Sequence, residues 1–280
     1  MKKIINIYRK LPFKPFQGIL RKLYQRYKKL NRNRIVIATR DGIRYRLDLN
    51  EPIDSSIYYE GCFEPITTSL INKFVKEGMT VLDIGANIGC HTLRFAKLVG
   101  DNGKVIAFEP MSWAFSKLNT NIALNGFKNI TLEKIVLSNI NQQNQLAYFR
   151  TSWKLDGKAV SEVKEYVDIF TLDEYVRKVN LAKIDFIKLD VDGYEYKVLL
   201  GGQNTIKKLK PIILVELGKY TLEGCGDNLE DLIDLLISLN YSFYSEETLV
   251  QYKNKDDLIN AVPSDSTINV LCKPTIYKTI

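Results

Sequence analysis

From Gly78 onward, short apolar runs alternate with stretches in which apolar residues recur every three or four positions. The runs Thr80–Ile84, Val105–Phe108, Ile130–Val136, Phe186–Leu189 and Ile212–Glu216 have the length of strands. Helical spacing separates most of them. It covers His91–Val99, Trp113–Asn125 and Tyr194–Leu200, each closed by a glycine, and Leu229–Leu239. Strands alternating with helices imply parallel βαβ units, so the expected fold is a doubly wound α/β sheet. Tyr241–Ser245 and Thr267–Cys272 are placed as a closing hairpin. Residues 141–170 break the rhythm, and Tyr148-Phe149 with Tyr166-Val167-Asp168-Ile169 indicate a β excursion there.

Upstream, Ile66–Lys76 has helical spacing and is stopped by Gly78, while Tyr58–Pro65 lacks periodicity and is expected to be a loop. Apolar runs on both sides of Asp41-Gly42 predict a β-hairpin. Residues 17–30 place Ile19, Leu20, Leu23, Tyr24, Tyr27 and Leu30 at helical spacing, with Arg and Lys on the other side. This predicts a basic amphipathic helix, preceded by a stretch broken by Pro12 and Pro15. Three parts result: a basic segment 1–34, a hairpin and loop 35–64, and a main domain 65–280.

Charge sharpens that division. The chain carries 40 basic and 32 acidic residues, a net +8. Twelve of the basic residues and no acidic ones fall in 1–34, so the rest of the chain carries 28 basic against 32 acidic groups. The basicity belongs to the N-terminal segment alone. Its aromatic residues lie on the apolar face and are not interleaved for base stacking. Docking on an anionic membrane surface or on a partner is therefore expected ahead of nucleic-acid binding. The apolar residues there are interrupted by Arg9, Lys10, Lys14 and two prolines, so no signal-peptide core forms, and no run is long enough to span a membrane. Four unpaired-looking cysteines fit a reduced, cytoplasmic chain with at most peripheral membrane contact. His91 is the sole histidine, which excludes a multi-histidine metal site, and no metal is expected.

Three places carry chemistry. Val81-Leu82-Asp83-Ile84-Gly85-Ala86-Asn87-Ile88-Gly89 is a strand running into a glycine turn that opens a helix, the position at which doubly wound sheets bind ligands. Its spacing is not the dinucleotide fingerprint, and a carboxylate at Asp83 repels pyrophosphate but suits a cationic ligand. Val105-Ile106-Ala107-Phe108-Glu109-Pro110 ends the next strand in an acid suited to ribose hydroxyls. The segment 184–195 delivers Asp190 to the same edge, followed by Asp192 and Glu195, which also suit a helix start. Glu216 ends the following strand.

The segments VLDIGANIGCHTLRFAKLVG, KVIAFEP, TLDEYV, IDFIKLDVDGYEYKVLLGG and IILVEL resemble the FkbM family of S-adenosylmethionine-dependent methyltransferases, over roughly residues 58–275. Asp192 stands where that family usually has Glu. The resemblance implies a Rossmann-like class I methyltransferase fold and O-methylation of a hydroxyl on a sugar, glycan, glycolipid or polyketide-like acceptor. It implies S-adenosylmethionine as cofactor. Asp83, Gly85, Asn87 and Gly89 would surround its methionine part, with Thr92 beside them. Glu109 and Pro110 would lie at the ribose, Ser138 near the adenine, and Glu64 near the cofactor. Asp190 is the candidate base, and it also adjoins the cofactor; Glu216 is second. His91, at the start of a helix, is expected to pack there.

Four rivals remain beside this. An RNA ribose methyltransferase needs a Lys-Asp-Lys-Glu set that Asp190, Lys219 and Glu216 match only loosely. A small-metabolite methyltransferase differs only in acceptor. A non-catalytic scaffold conflicts with the intact glycine turn and Glu109. A NAD-dependent dehydrogenase conflicts with the glycine spacing and Asp83.

Overall fold

The computed structural model describes residues 34–150, 154–155, 158–159 and 162–275. The expected basic helix at 17–30 lies outside the described residues. The chain divides into two compact units, 1–63 with 152–160, and 64–151 with 161–280.

In the first unit, β1 (Ile35–Arg40) and β2 (Ile43–Asp48) form the antiparallel hairpin expected around Asp41-Gly42. Helix α1 (Pro52–Glu60) follows. It corrects the expectation of a loop from Tyr58, because Tyr58, Tyr59 and Glu60 are its last turn. The missed signal was a proline at the first position, followed by Ile53 and Ile57 one turn apart, both buried. Arg40 joins hairpin to helix by donating from Nε to the Ile57 carbonyl at 3.0 Å. Short strands β8 (Lys154–Leu155) and β9 (Lys158–Ala159), counted in chain order, pair antiparallel in this unit.

The second unit holds a seven-stranded sheet. Its strands are β3 (Thr80–Ile84), β4 (Lys104–Phe108), β5 (Ile130–Glu133), β11 (Phe186–Leu189), β12 (Ile212–Leu217), β13 (Tyr241–Ser245) and β14 (Ile268–Pro274). The order is β13-β14-β12-β11-β3-β4-β5. The five strands from β5 to β12 are parallel, and β14 and β13 close the sheet antiparallel, as the sequence pattern implied. Chain order reverses between β3 and β11, so the switch point of a doubly wound sheet lies there.

One expected strand is two. Ile130–Val136 divides at Lys134 into β5 in the large sheet and β6 (Ile135–Leu137), which pairs with β10 (Glu162–Phe170) in a separate sheet, order β6-β10-β7. The last of these, β7 (Gln142–Arg150), forms with β10 the expected β excursion.

Helices cover both faces. They are α2 (Pro65–Phe74), α3 (Cys90–Val99), α4 (Ser112–Asn125), α5 (Leu172–Lys178), α6 (Glu195–Leu200), α7 (Gln203–Leu209), α8 (Lys219–Gly224), α9 (Leu229–Ser238) and α10 (Lys255–Ala261). Side chains on a strand alternate between faces. On one face Leu82, Ile84, Ile187, Leu189, Ile213 and Val215 pack with Val198 and Leu199 of α6 and Leu232, Ile233 and Leu236 of α9. On the other, Val81, Val105, Phe186, Leu214 and Leu271 pack with Leu70 and Ile71 of α2 and Phe95 and Val99 of α3. Of the short helices, α5 carries a local signal: Thr171 accepts from the Glu174 amide at 3.1 Å, half of a capping box.

Candidate active site

On the face covered by α2 and α3, the apolar columns stop at the carboxyl ends of the strands. Two residues beyond Val81, Phe186 and Leu214 come Asp83, Lys188 and Glu216. Strand register sets Asp83 beside Lys188, and Glu216 beside Asn269 of β14. The turns after β3 and β11 add Gly85 and Asp190. A polar layer thus crosses the sheet where the switch point opens.

Asp83 is 1% exposed. Its Oδ2 accepts from the Thr92 hydroxyl at 2.5 Å, while the buried Oδ1 has no hydrogen-bond partner among the described residues. Burial raises its pKa, with Lys188 and Thr92 opposing. An acceptor oxygen held dry without a donor is costly, and it marks where a ligand donor or cation fits.

The glycine turn has a packing reason. Gly85 sits at φ 86°, and a Cβ there would fall 1.8 Å from the Asp190 carbonyl oxygen. Gly89 sits at φ 87°, and its Cβ would fall 2.2 Å from Leu118 Cδ1 of α4. Only glycine lets the turn lie directly against β11's exit on one side and α4 on the other. Asn87, at φ 50°, points its amide to Glu109, donating to Oε2 at 2.8 Å.

Glu109 also accepts from the Met111 amide at Oε1, 2.9 Å. Burial pushes its pKa up to about 7 against those two backbone donors. Each carboxylate oxygen keeps a further lone pair for a ligand hydroxyl. Pro110 lies between Glu109 and Met111, the residue that caps α4. The small sheet buttresses this turn, since Glu165 of β10 accepts from the Ser112 amide at 3.0 Å.

Asp190 accepts from Lys188 Nζ at 2.7 Å and is hydrogen-bonded by the Glu216 carboxyl. Burial acts to raise its pKa, but Lys188 and Glu216 prevail and hold it below the usual carboxylate range. Glu216 is driven the other way, up to about 9, by burial and by Asp190. Two neighbouring carboxyls are tuned apart in this way, with the negative charge favoured on Asp190 and the proton favoured on Glu216. Thr267 donates to Glu216 Oε1 at 2.7 Å.

Glu64 stands just before α2 with φ 45°, its Oε2 3.1 Å from His91 Nε2. Burial disfavours the charged imidazole, but Cys90 and Glu64 outweigh it and raise the His91 pKa to about 10. His91 therefore does more than pack at a helix start: it fixes a carboxylate that faces Lys188 and Asp190. Beyond it, Asn269 Nδ2 donates to Thr67 Oγ1 at 3.1 Å, and Thr67 donates to Glu246 at 2.5 Å.

The structure thus brings Asp83, Gly85, Asn87, Gly89, Thr92, Glu109, Asp190, Glu216 and Glu64 around one edge. Ser138 stands apart from this hydrogen-bond network among the described residues; its hydroxyl bonds Asn139 at 3.3 Å, and its carbonyl abuts Gly201. Glu195 is a loop clasp: its buried carboxylate accepts from the amides of Val191 at 2.8 Å and Gly193 at 3.0 Å. Sequence reasoning missed Lys188, whose signal was a lysine at a core-facing position of an otherwise apolar strand. It also missed Thr67, Glu246, Thr267 and Asn269, which carry no local signal.

An acidic residue with a free buried oxygen beside a turn, and a second acid anchored by backbone amides, fit the two ends of S-adenosylmethionine, an ammonium-bearing methionine and a ribose diol. Comparison with known proteins points the same way. A family model described as the methyltransferase FkbM domain matches residues 83–243. The 2-O-methyltransferase NoeI of Sinorhizobium fredii is 24% identical over 206 residues, covering 65% of this chain and 82% of that protein. Methyltransferase 1 of Beauveria bassiana is 26% identical over 189 residues, covering 60% and 73%. Among solved structures, a SAM-dependent O-methyltransferase from Thermotoga maritima is similar at a TM-score of 0.45 and 13% identity, covering 81% of this chain and 72% of that one. An rRNA methylase from Streptococcus thermophilus is similar at 0.41 and 14%, covering 75% and 95%.

Proposed function

The chain belongs to the FkbM methyltransferase family and is an S-adenosylmethionine-dependent methyltransferase, and from that premise we propose that it methylates a hydroxyl oxygen of a sugar, glycan or glycolipid-type acceptor. The observation that carries the oxygen assignment is the pair of carboxyls at the carboxyl edge of the sheet, Asp190 held by Lys188 at 2.7 Å and Glu216 held by Thr267 at 2.7 Å. The relative NoeI, a 2-O-methyltransferase by name, supports it.

Asp83 would hold the cofactor's ammonium, with Thr92 fixing the carboxylate and Gly85, Asn87 and Gly89 shaping the turn around the methionine. Glu109, backed by Pro110, would accept the ribose hydroxyls, and Ser138 is assigned to the adenine end. Glu64 closes the polar layer near the cofactor. When bound, the cofactor supplies a methyl group made electrophilic by its sulfonium. The protein's part is alignment and exclusion of water. Asp190 orients the acceptor hydroxyl and takes its proton as the new carbon–oxygen bond forms. A weak base suffices, because the oxygen becomes strongly acidic only as that bond forms. Glu216 holds Asp190 in place, and because burial and Asp190 favour its protonated form it is the weaker of the two candidates for the base. An acceptor rich in hydroxyls matches an edge lined by Glu216, Thr267, Asn269 and Glu246.

Residues 1–34 are assigned to reversible contact with an anionic membrane face, on the strength of their charge and apolar stripe, which suits a glycolipid acceptor. No described helix is long and apolar enough to cross a membrane. The working compartment in this reading is the cytoplasm.

Methyl transfer from isotopically labelled S-adenosylmethionine to a panel of sugars, glycans, glycolipids, amines and RNA tests the reading. Label on a sugar hydroxyl is expected. Label confined to nitrogen, carbon or RNA ribose overturns it.

A further inference from the structure

Lys188 occupies a position that neither motif nor mechanism assigns. It is the third residue of β11 and is 3% exposed. Moving an ammonium that deep costs several kcal/mol unless it is paired. Here it is paired from several elements. Asp190 lies 2.7 Å away on the loop that follows, Asp83 is its register neighbour on β3, and Glu64 faces it from the start of α2. His91 of α3 and the loop residue Asp192 also feel its charge, and Glu216 of β12 is joined to it through Asp190. Burial acts to strip its proton, but Asp190, Asp83 and Glu64 outweigh that and raise its pKa, so the ammonium is permanent.

The carboxylates need this cation. Asp83 is buried, Asp190 is partly buried with its backbone carbonyl against Gly85, and the Asp190 charge acts to raise the Asp83 pKa. Without a fixed positive charge, one of them would take up a proton. A protonated carboxyl is a poorer partner for a cationic ligand, which would then have to expel that proton on binding.

We propose that Lys188 is a positioning residue of the methyl-transfer site: its ammonium, fixed on Asp190 and beside Asp83, keeps both carboxylates charged and in place before the cationic methyl donor arrives. It takes no part in the bond changes. The inference rests on the placement of the cofactor at Asp83 and is independent of the acceptor's identity.

Calorimetry of S-adenosylmethionine binding, repeated in two buffers of different ionisation enthalpy, counts the protons exchanged. Lys188→Met is expected to release roughly one proton more than the wild type on binding. Lys188→Arg is expected to keep the wild-type count. Lys188→Met with Asp190→Asn removes charge and countercharge together and is expected to restore that count. Binding by Lys188→Met with an unchanged count overturns the proposal. If Lys188→Met does not fold, the double variant decides. Folding with the wild-type count supports the proposal, whereas a different count, or failure to fold while Asp190→Asn folds, overturns it. Asp83→Asn run alongside separates the two layers. Undiminished binding there removes the cofactor placement itself, whereas weakened binding there with a wild-type-like Lys188→Met removes only the role of Lys188.

Discussion

Thr92 donates its hydroxyl to Asp83 Oδ2 at 2.5 Å across the first turn of α3 and leaves Oδ1 without a partner among the described residues. One oxygen is used to orient the carboxylate, and the other is kept for a ligand. Asp83→Asn should therefore weaken S-adenosylmethionine by about tenfold to a hundredfold, the worth of one charged hydrogen bond, measured by calorimetry. Thr92→Ala should weaken it less, because the carboxylate remains. Equal effects would show that orientation, not charge, dominates.

Glu109 gives the site a pH dependence. Burial holds its carboxyl near 7, so it loses charge as the pH falls through neutrality. The ionised form accepts ligand hydroxyls better. Affinity for S-adenosylhomocysteine should thus fall between pH 8 and pH 6, and Glu109→Gln should be weaker and flat across that range. A flat wild-type profile would remove the ribose assignment.

The Asp190–Glu216 pair divides by role. Asp190→Asn should bind the cofactor and lose turnover by about a hundredfold to ten-thousandfold, the range of a removed general base. Glu216→Gln keeps a donor for Asp190 and should be milder. It should also change stability with pH. In the folded chain Glu216 titrates near 9, well above an ordinary glutamate at 4.5. Stability present below about 4.5 is therefore lost as the pH rises toward 9. The Glu216→Gln protein should melt near the wild type at pH 5 and at least a few degrees higher at pH 8.

Gly85 and Gly89 share a left-handed conformation but not a neighbour. A Cβ on Gly85 meets a backbone carbonyl, which cannot yield without moving β11's exit; on Gly89 it meets the end of a leucine side chain. Gly85→Ala should lower the melting temperature far more than Gly89→Ala. Similar losses would mean that φ alone is responsible.

Removing residues 2–33 should abolish sedimentation with anionic vesicles at low salt and leave cofactor affinity unchanged. Full-length protein that ignores such vesicles at low salt would end the membrane assignment.

The chain by itself determined the large sheet and the two acids that flank its glycine turn. Both depend on short-range pattern. Apolar runs of period two and glycine-stopped helices recur within a few residues, and Asp83 and Glu109 stand where such runs end. The same locality explains the errors. Nothing in Ile130–Val136 reveals that the chain changes sheets at Lys134, because the partner of β6 is β10, more than twenty residues on. Helix α1 was hidden because its apolar stripe is only Ile53 and Ile57.

Tertiary structure alone decided how the acids are tuned. Lys188 meets Asp83 only when β11 docks beside β3, and Asn269 reaches Thr67 across 202 positions of sequence. Only that packing removes water from the layer. Burial then lifts Glu216, the ammonium holds down Asp190, and one oxygen of Asp83 is left for a ligand. A residue's identity fixes which charge it can carry. Its pKa depends on desolvation and on neighbours within a few ångströms, and in a doubly wound sheet those neighbours come from strands far apart along the chain.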